Sequence, residues 1–203
     1  MSAVLNVLGA GVGGQGTVML AKVIGGAAFL AGRPVLTRET IGGFQRFGKV
    51  FVEIRIGAGA RSNTIDYGDA HVVLGMELLE GLRFGLRYLR PGGVAVVNAR
   101  KILLEPGNRR AYYPSVAEVR AQLADISPRV HVIDASKLAA EAGNPRMENM
   151  ALLGAAVAIG ALDIDAEVFR AQIRATVPSG TADANVRAFD LGIEALLAPA
   201  GAA

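Results

Sequence analysis

The sequence predicts an open α/β fold: a mostly parallel sheet with helices on both faces and a helical C-terminal part. Three observations lead there. Short apolar runs alternate with helix-patterned stretches through most of the chain. A glycine-rich turn, Gly11-Val12-Gly13-Gly14-Gln15-Gly16, joins the first apolar run to the first helical one. Strand signals then thin out, and the pattern beyond residue 148 is helical.

Each element follows from its residues. Residues 4–9 are an apolar run bounded by glycine, the signature of a strand buried on both faces. Thr17 to Ala31 reads as a helix, closed by Gly32 and Pro34. Val35-Leu36-Thr37 starts a second strand, and Gly42-Gly43 opens a loop reaching Gly48. From Lys49 to Ile56 the chain alternates. Val50, Val52, Ile54 and Ile56 share a buried face, while Phe51, Glu53 and Arg55 share a wetter one, which predicts an edge or antiparallel strand. His71 to Gly75 reads as a core strand, and Glu77 to Leu89 as a helix with acid early and arginine late. Pro91-Gly92-Gly93 is a turn before a strand at 94–97. A short helix at 116–124, a last strand at 130–133 and a helix to Ala142 follow. Three helices are expected at 148–161, about 166–175 and 183–197. The whole, 1–203, is expected to be one domain, with a core over 4–160 and C-terminal helices over 161–198.

Composition narrows the function. With 203 residues the chain can bury roughly 70% of its unfolded surface without staples. It has no cysteine, which excludes disulfides, thiolate-held iron–sulfur clusters and cysteine nucleophiles. Two histidines, His71 and His131, make a multi-histidine metal site a poor expectation, so no metal is assigned. A net charge of +3 without basic blocks, and aromatics at 5%, argue against nucleic-acid binding. Residues 1–21 carry no charge, but glycines, Asn6 and Gln15 interrupt them, and no basic segment precedes the apolar run. The expectation is a cytoplasmic protein that does not bind membranes.

Gly11, Gly13 and Gly16 fit G-x-G-x-x-G between a strand and a helix, the Rossmann-like setting for a phosphate cradle. The plainer alternative is a tight strand–helix turn, though a turn alone does not need so many glycines. A nicotinamide site wants an acid about 20 residues on, and Glu39 lies near that place. No His, Tyr or Lys constellation for hydride transfer accompanies it.

A third reading comes from five stretches in order. These are the turn centred on Gly13-Gly14-Gln15-Gly16; Gly43-Phe44-Gln45-Arg46 with the strand ending Val52 to Gly57; Asp69 to Glu77 continuing to Arg83; Pro91-Gly92-Gly93-Val94 to Asn98; and Gly143-Asn144-Pro145-Arg146 with Asn149 to Ala155. Together they resemble the gamma subunit of 2-oxoacid:ferredoxin oxidoreductases.

The resemblance implies a subunit that is inactive alone. In such enzymes thiamine diphosphate with Mg2+ and iron–sulfur clusters sit on partner subunits, ferredoxin or another acceptor takes the electrons, and coenzyme A takes the acyl group. This chain is expected to help bind coenzyme A. The expected contacts are backbone N–H groups of Gly13 to Gly16, with Gly11 shaping the turn, the Gln15 amide, the Thr17 hydroxyl and the Arg46 guanidinium. Thr17 is equally placed to cap the helix. Lys22 is a weaker candidate. Glu77 and Glu80 are expected to stabilise a helix start, His71 to be structural, and Asn149 to cap or position the late helix. Phe47 departs from the small residue of the resembled loop.

Overall fold

The computed structural model describes residues 4–41, 48–102 and 112–197. It holds six strands, β1 (Leu5–Val12), β2 (Val35–Ile41), β3 (Lys49–Ile56), β4 (Ala70–Gly75), β5 (Leu89–Asn98) and β6 (Val130–Ile133). The helices are α1 (Thr17–Leu30), α2 (Leu78–Tyr88), α3 (Val116–Ala124), α4 (Ala135–Glu141), α5 (Glu148–Ala158), α6 (Ala166–Thr176) and α7 (Ala182–Leu197).

The strands form one sheet in the order β2-β3-β1-β4-β5-β6. β1, β4, β5 and β6 pair in parallel, whereas β3 runs antiparallel to both β1 and β2. Of the two readings of the β3 alternation, the antiparallel one holds and the edge one does not, since β3 lies between β2 and β1. Its second face is drier than the sequence suggests: Glu53 is 1% exposed. Its carboxylate accepts from Ile65 N–H at 2.8 Å and from Arg38 at 3.0 Å, and Arg55 donates to the carbonyls of Ser62 and Thr64. The chain between β3 and β4 therefore folds over that face and supplies partners for its charges.

Side chains of period two split the core in two. Val7, Val52, Ile54, Val72, Leu74 and Val96 face α1, α5, α6 and α7. Leu8, Val73, Ala95 and Val97 face α2 and α3. Close approach needs glycine at several contacts. A Cβ at Gly9 would lie 2.9 Å from Val52, and one at Gly75 would lie 2.6 Å from the Gly81 backbone of α2. The predicted Pro91-Gly92-Gly93 turn lies within β5. Pairing jumps from Ala70–Leu89 to Val72–Val94, so these residues bulge out of the ladder, with Gly92 at φ 72°. Phe169, Ile173 and Phe189 of the C-terminal helices join the same cluster as α1 and β1.

Candidate functional site

β1 and β4 are neighbours whose crossovers leave in opposite directions. β1 connects through α1 to β2 on one face, while β4 connects through α2 to β5 on the other. Such a switch point opens a crevice at the carboxyl ends of the strands, where α/β sheets bind ligands. The glycine turn lies there, beside Gly75 to Glu77.

The glycines divide by role. A Cβ at Gly11 would meet Met76 at 2.8 Å, and one at Gly16 would meet Asn149 Nδ2 at 2.5 Å. Gly14, at φ 100°, is exposed, and a Cβ there would meet nothing within 4 Å among the described residues. Gly11 and Gly16 thus let protein pack, and Gly14 leaves the mouth of the crevice clear. Two N–H groups of the expected cradle are engaged: Gly13 donates to the Gly48 carbonyl at 2.9 Å and Gln15 to the Val12 carbonyl at 3.2 Å. The first helical bond of α1 runs from Leu20 N–H to the Gly16 carbonyl, so the N–H groups of Thr17 to Met19 precede the ladder. No acidic residue lies in that first turn, which leaves the positive end of the helix uncompensated.

Gln15 differs from its expected role as a ligand contact. Its Oε1 accepts from Val12 N–H at 2.8 Å and its Nε2 donates to the Met76 carbonyl at 2.9 Å. Both ends of the amide tie β1 to β4, and the side chain is buried. Thr17 does not cap the helix either. Gly16 holds the N-cap position without a side-chain bond, and Thr17 is the first helical residue. The Thr17 hydroxyl is buried and, among the described residues, has no hydrogen-bond partner. Arg46, with Gln45 and Phe47, lies outside the described residues. Lys22 lines a separate surface groove with Thr37 and Glu39 of β2.

A polar cluster missed by the sequence reading braces the crevice. Asn149 Nδ2 donates to the Gly16 carbonyl at 3.1 Å and its Oδ1 accepts from Met150 N–H at 3.0 Å, so it steadies the turn and positions α5 against it, although the N-cap residue is Met147. Next to it, the buried Glu148 accepts from Asn98 at 2.6 Å, from Ser136 at 2.9 Å and from Arg100. Asn98 also donates to the Met76 carbonyl at 3.2 Å, the acceptor shared with Gln15. The signal available in sequence was the polar pair Glu148-Asn149 opening an otherwise apolar helix. Glu77 caps α2, accepting from Glu80 N–H at 2.8 Å, as expected for a helix start. Burial pushes its pKa up, against the pull of the backbone N–H groups of Glu80, Leu79 and Ile102.

Glu39 sits in β2, and β3 lies between β2 and β1. Two strand spacings, about 10 Å, separate it from the strand that carries the glycine turn. In a dinucleotide site the acid-bearing strand is the immediate neighbour.

The family model for pyruvate ferredoxin/flavodoxin oxidoreductase matches residues 6–195. The chain belongs to this oxidoreductase family. Its relatives include indolepyruvate oxidoreductase subunit IorB from Pyrococcus horikoshii and from Thermococcus kodakarensis, each 37% identical over 94% of this chain and 95% of the relative. The IorB subunit from Archaeoglobus fulgidus is 34% identical over 93% of both chains. Among solved structures, the keto/oxoacid ferredoxin oxidoreductase gamma subunit from Geobacter sulfurreducens shares the fold, with a TM-score of 0.70 at 20% identity over 96% of this chain and 99% of that one. The 2-oxoglutarate:ferredoxin oxidoreductase from Magnetococcus marinus, with 2-oxoglutarate, coenzyme A and succinyl-CoA bound, matches with a TM-score of 0.69 at 21% identity, over all of this chain and 32% of that one. As a member of the pyruvate ferredoxin/flavodoxin oxidoreductase family, the chain is a subunit of a 2-oxoacid oxidoreductase assembly, and its six-stranded sheet with C-terminal helices is the gamma-subunit fold. Among the described residues no helix is long and apolar enough to cross a membrane.

Proposed function

We propose that this chain is a non-autonomous subunit that contributes to coenzyme A binding in the oxidative decarboxylation of a 2-oxoacid to an acyl-CoA. The observation that carries this reading is the clear approach to Gly14 at the switch point. The N–H groups ahead of the α1 ladder lie beside it, with no acid in the helix's first turn to repel an anion. A diphosphate suits that setting, since helix N-termini attract anions and offer unpaired donors. The Thr17 hydroxyl, buried and without a hydrogen-bond partner among the described residues, is a further polar group at the helix start. Arg46 is proposed as the guanidinium that binds the phosphates.

Thiamine diphosphate with Mg2+, and the iron–sulfur clusters, belong in this reading to partner subunits, because the chain has no thiol to hold a cluster. Ferredoxin or another acceptor takes the electrons through the assembly, in the cytoplasm. The substrate class proposed is an aromatic 2-oxoacid of the indolepyruvate type, on the strength of the name the relatives carry. A self-sufficient nicotinamide dehydrogenase is disfavoured by the strand between Glu39 and the glycine turn.

The test is coenzyme A titration of the assembled enzyme carrying Gly14→Asn or Arg46→Ala. Asparagine tolerates positive φ better than other side chains and would fill the mouth. The expected result is a rise in the apparent KM for coenzyme A of roughly tenfold for each, the loss of about one charge-assisted contact. Unchanged affinity in both variants would remove coenzyme A from this turn and leave a scaffold role. Turnover by the purified chain alone would overturn the subunit reading, and a preference for pyruvate or 2-oxoglutarate over indolepyruvate would overturn the substrate class.

A further inference from the structure

At the other end of the sheet, a cleft of about 190 Å3 opens beside the amino ends of β4 and β5. At about 30 Å3 per molecule it has room for roughly six waters. Three basic side chains line it: His71 from β4, Arg90 from the start of β5, and Arg129 from the turn before β6. The bulged glycines Gly92 and Gly93 form part of the wall. None of these groups takes part in the switch-point crevice.

The His71 ring faces one donor too many. Its Nδ1 lies 3.2 Å from the Asn6 backbone nitrogen, and its Nε2 lies 2.7 Å from a guanidinium nitrogen of Arg90. Both neighbours always carry hydrogens. A neutral imidazole has one nitrogen able to accept, and an imidazolium has none. Whichever tautomer is present, one of the two contacts sets N–H against N–H.

The Asn6 donor belongs to a strand backbone and is fixed, whereas Arg90 is exposed and free to turn. The mismatch is therefore relieved at Nε2. An acceptor in the cleft would take the Nε2–H and an Arg90 N–H together. Arg129 is available to the same acceptor, because among the described residues its guanidinium makes only a long 3.5 Å contact to the Ile159 carbonyl. The carboxylate closest to His71 in sequence, Asp69, has one oxygen engaged by the Asn6 amide at 2.7 Å. Burial, then Arg90, hold the His71 pKa below its ordinary value, with Asp69 pulling the other way, so the ring is the neutral form in neutral solution.

We propose that the His71–Arg90–Arg129 cleft binds a phosphate group. Two guanidiniums and a ring N–H match a dianionic tetrahedral oxyanion better than a singly charged carboxylate. The volume holds the phosphate itself, so any larger molecule bearing it would project into solvent. The source is either free inorganic phosphate or the end of an organic phosphomonoester.

Calorimetric titration of the full chain, alone and in its assembled complex, with inorganic phosphate and with glycerol phosphate tests this. The expected result is saturable binding at one site. Arg90→Gln and Arg129→Gln are each expected to weaken it roughly tenfold, the loss of one charge-assisted contact. Both residues are exposed, so melting temperatures should stay near that of the parent chain. Tighter binding of glycerol phosphate than of the free ion would support the site with an organic monoester as its source, and the reverse would support it with the free ion. Absence of saturable binding overturns the proposal. So does phosphate binding that Gly14→Asn removes and the two arginine variants leave intact, because the anion would then belong to the glycine turn.

Discussion

Gly14 and Gly16 both have positive φ, yet they answer to different constraints. At Gly16 a methyl group would sit 2.5 Å from Asn149 Nδ2, whereas at Gly14 it would meet nothing within 4 Å among the described residues. Alanine at either position bears the left-handed backbone penalty of about 1–2 kcal/mol. Gly16→Ala adds a steric conflict and is expected to lower stability further, to a degree visible as a lower urea midpoint than Gly14→Ala. Adding Asn149→Ala to Gly16→Ala should recover part of that loss; a double variant with no recovery would mean the conflict lies elsewhere. Glu148 is constrained by satisfaction of buried groups. Glu148→Ala removes the acceptor shared by the buried Asn98 amide, the Ser136 hydroxyl and the half-exposed Arg100, and a loss of about 1–3 kcal/mol is expected in denaturant titration.

Helix α2 starts on a carboxylate that burial disfavours in its charged form. The Glu77 pKa is raised in the fold above its ordinary 4.5. Between the unfolded and the folded pKa the native state holds the proton that the unfolded chain has lost. Stability is thus full at low pH and declines as pH rises above about 4.5 towards the folded pKa. Glu77→Gln keeps an acceptor for Glu80 N–H and removes the titration. Its stability relative to the parent should therefore improve as pH rises through that window, which thermal melts across a pH series would read. A constant difference would show that Glu77 does not couple folding to pH. The edge strand β2 shows another limit of local reading. Its first three residues were legible from Val35-Leu36-Thr37, but its extension to Ile41 depends on the ladder to β3.

At the scale of the molecule, the C-terminal helices are held by backbone contact. A Cβ at Gly154 of α5 would lie 1.9 Å from the Phe189 carbonyl oxygen, and one at Gly192 of α7 would lie 2.0 Å from that of Ala151. Such contacts are with backbone and do not yield by rotamer change. Gly154→Ala is expected to push α7 from α5 at a cost of about 1–3 kcal/mol or more. Earlier proteolytic cleavage within α7 is the matching readout; an unchanged cleavage pattern and melting point would show that the helices slide freely. The same long reach separates the glycine turn from the residues that support it. Gln15 meets the Met76 carbonyl 61 residues away, and Asn149 meets Gly16 across 133.

The sequence by itself determined the alternation of strands and helices, the place of the glycine turn between the first of each, the buried apolar face of β3, the absence of thiols and the ordered motifs of the oxidoreductase family. These are local properties: side-chain period, turn chemistry, composition and spacing along the chain. Tertiary structure alone decided that the Gln15 amide turns inward, that Glu53 is buried, that Asn149 steadies Gly16, and that β3 separates Glu39 from the turn. It also decided that Gly11 and Gly16 of the turn are filled by neighbours, while Gly14 meets none among the described residues. Those outcomes depend on hydrogen-bond partners and clearances between distant segments, and no local periodicity records what lies opposite a residue once the sheet has closed its ladders and the helices have packed upon it.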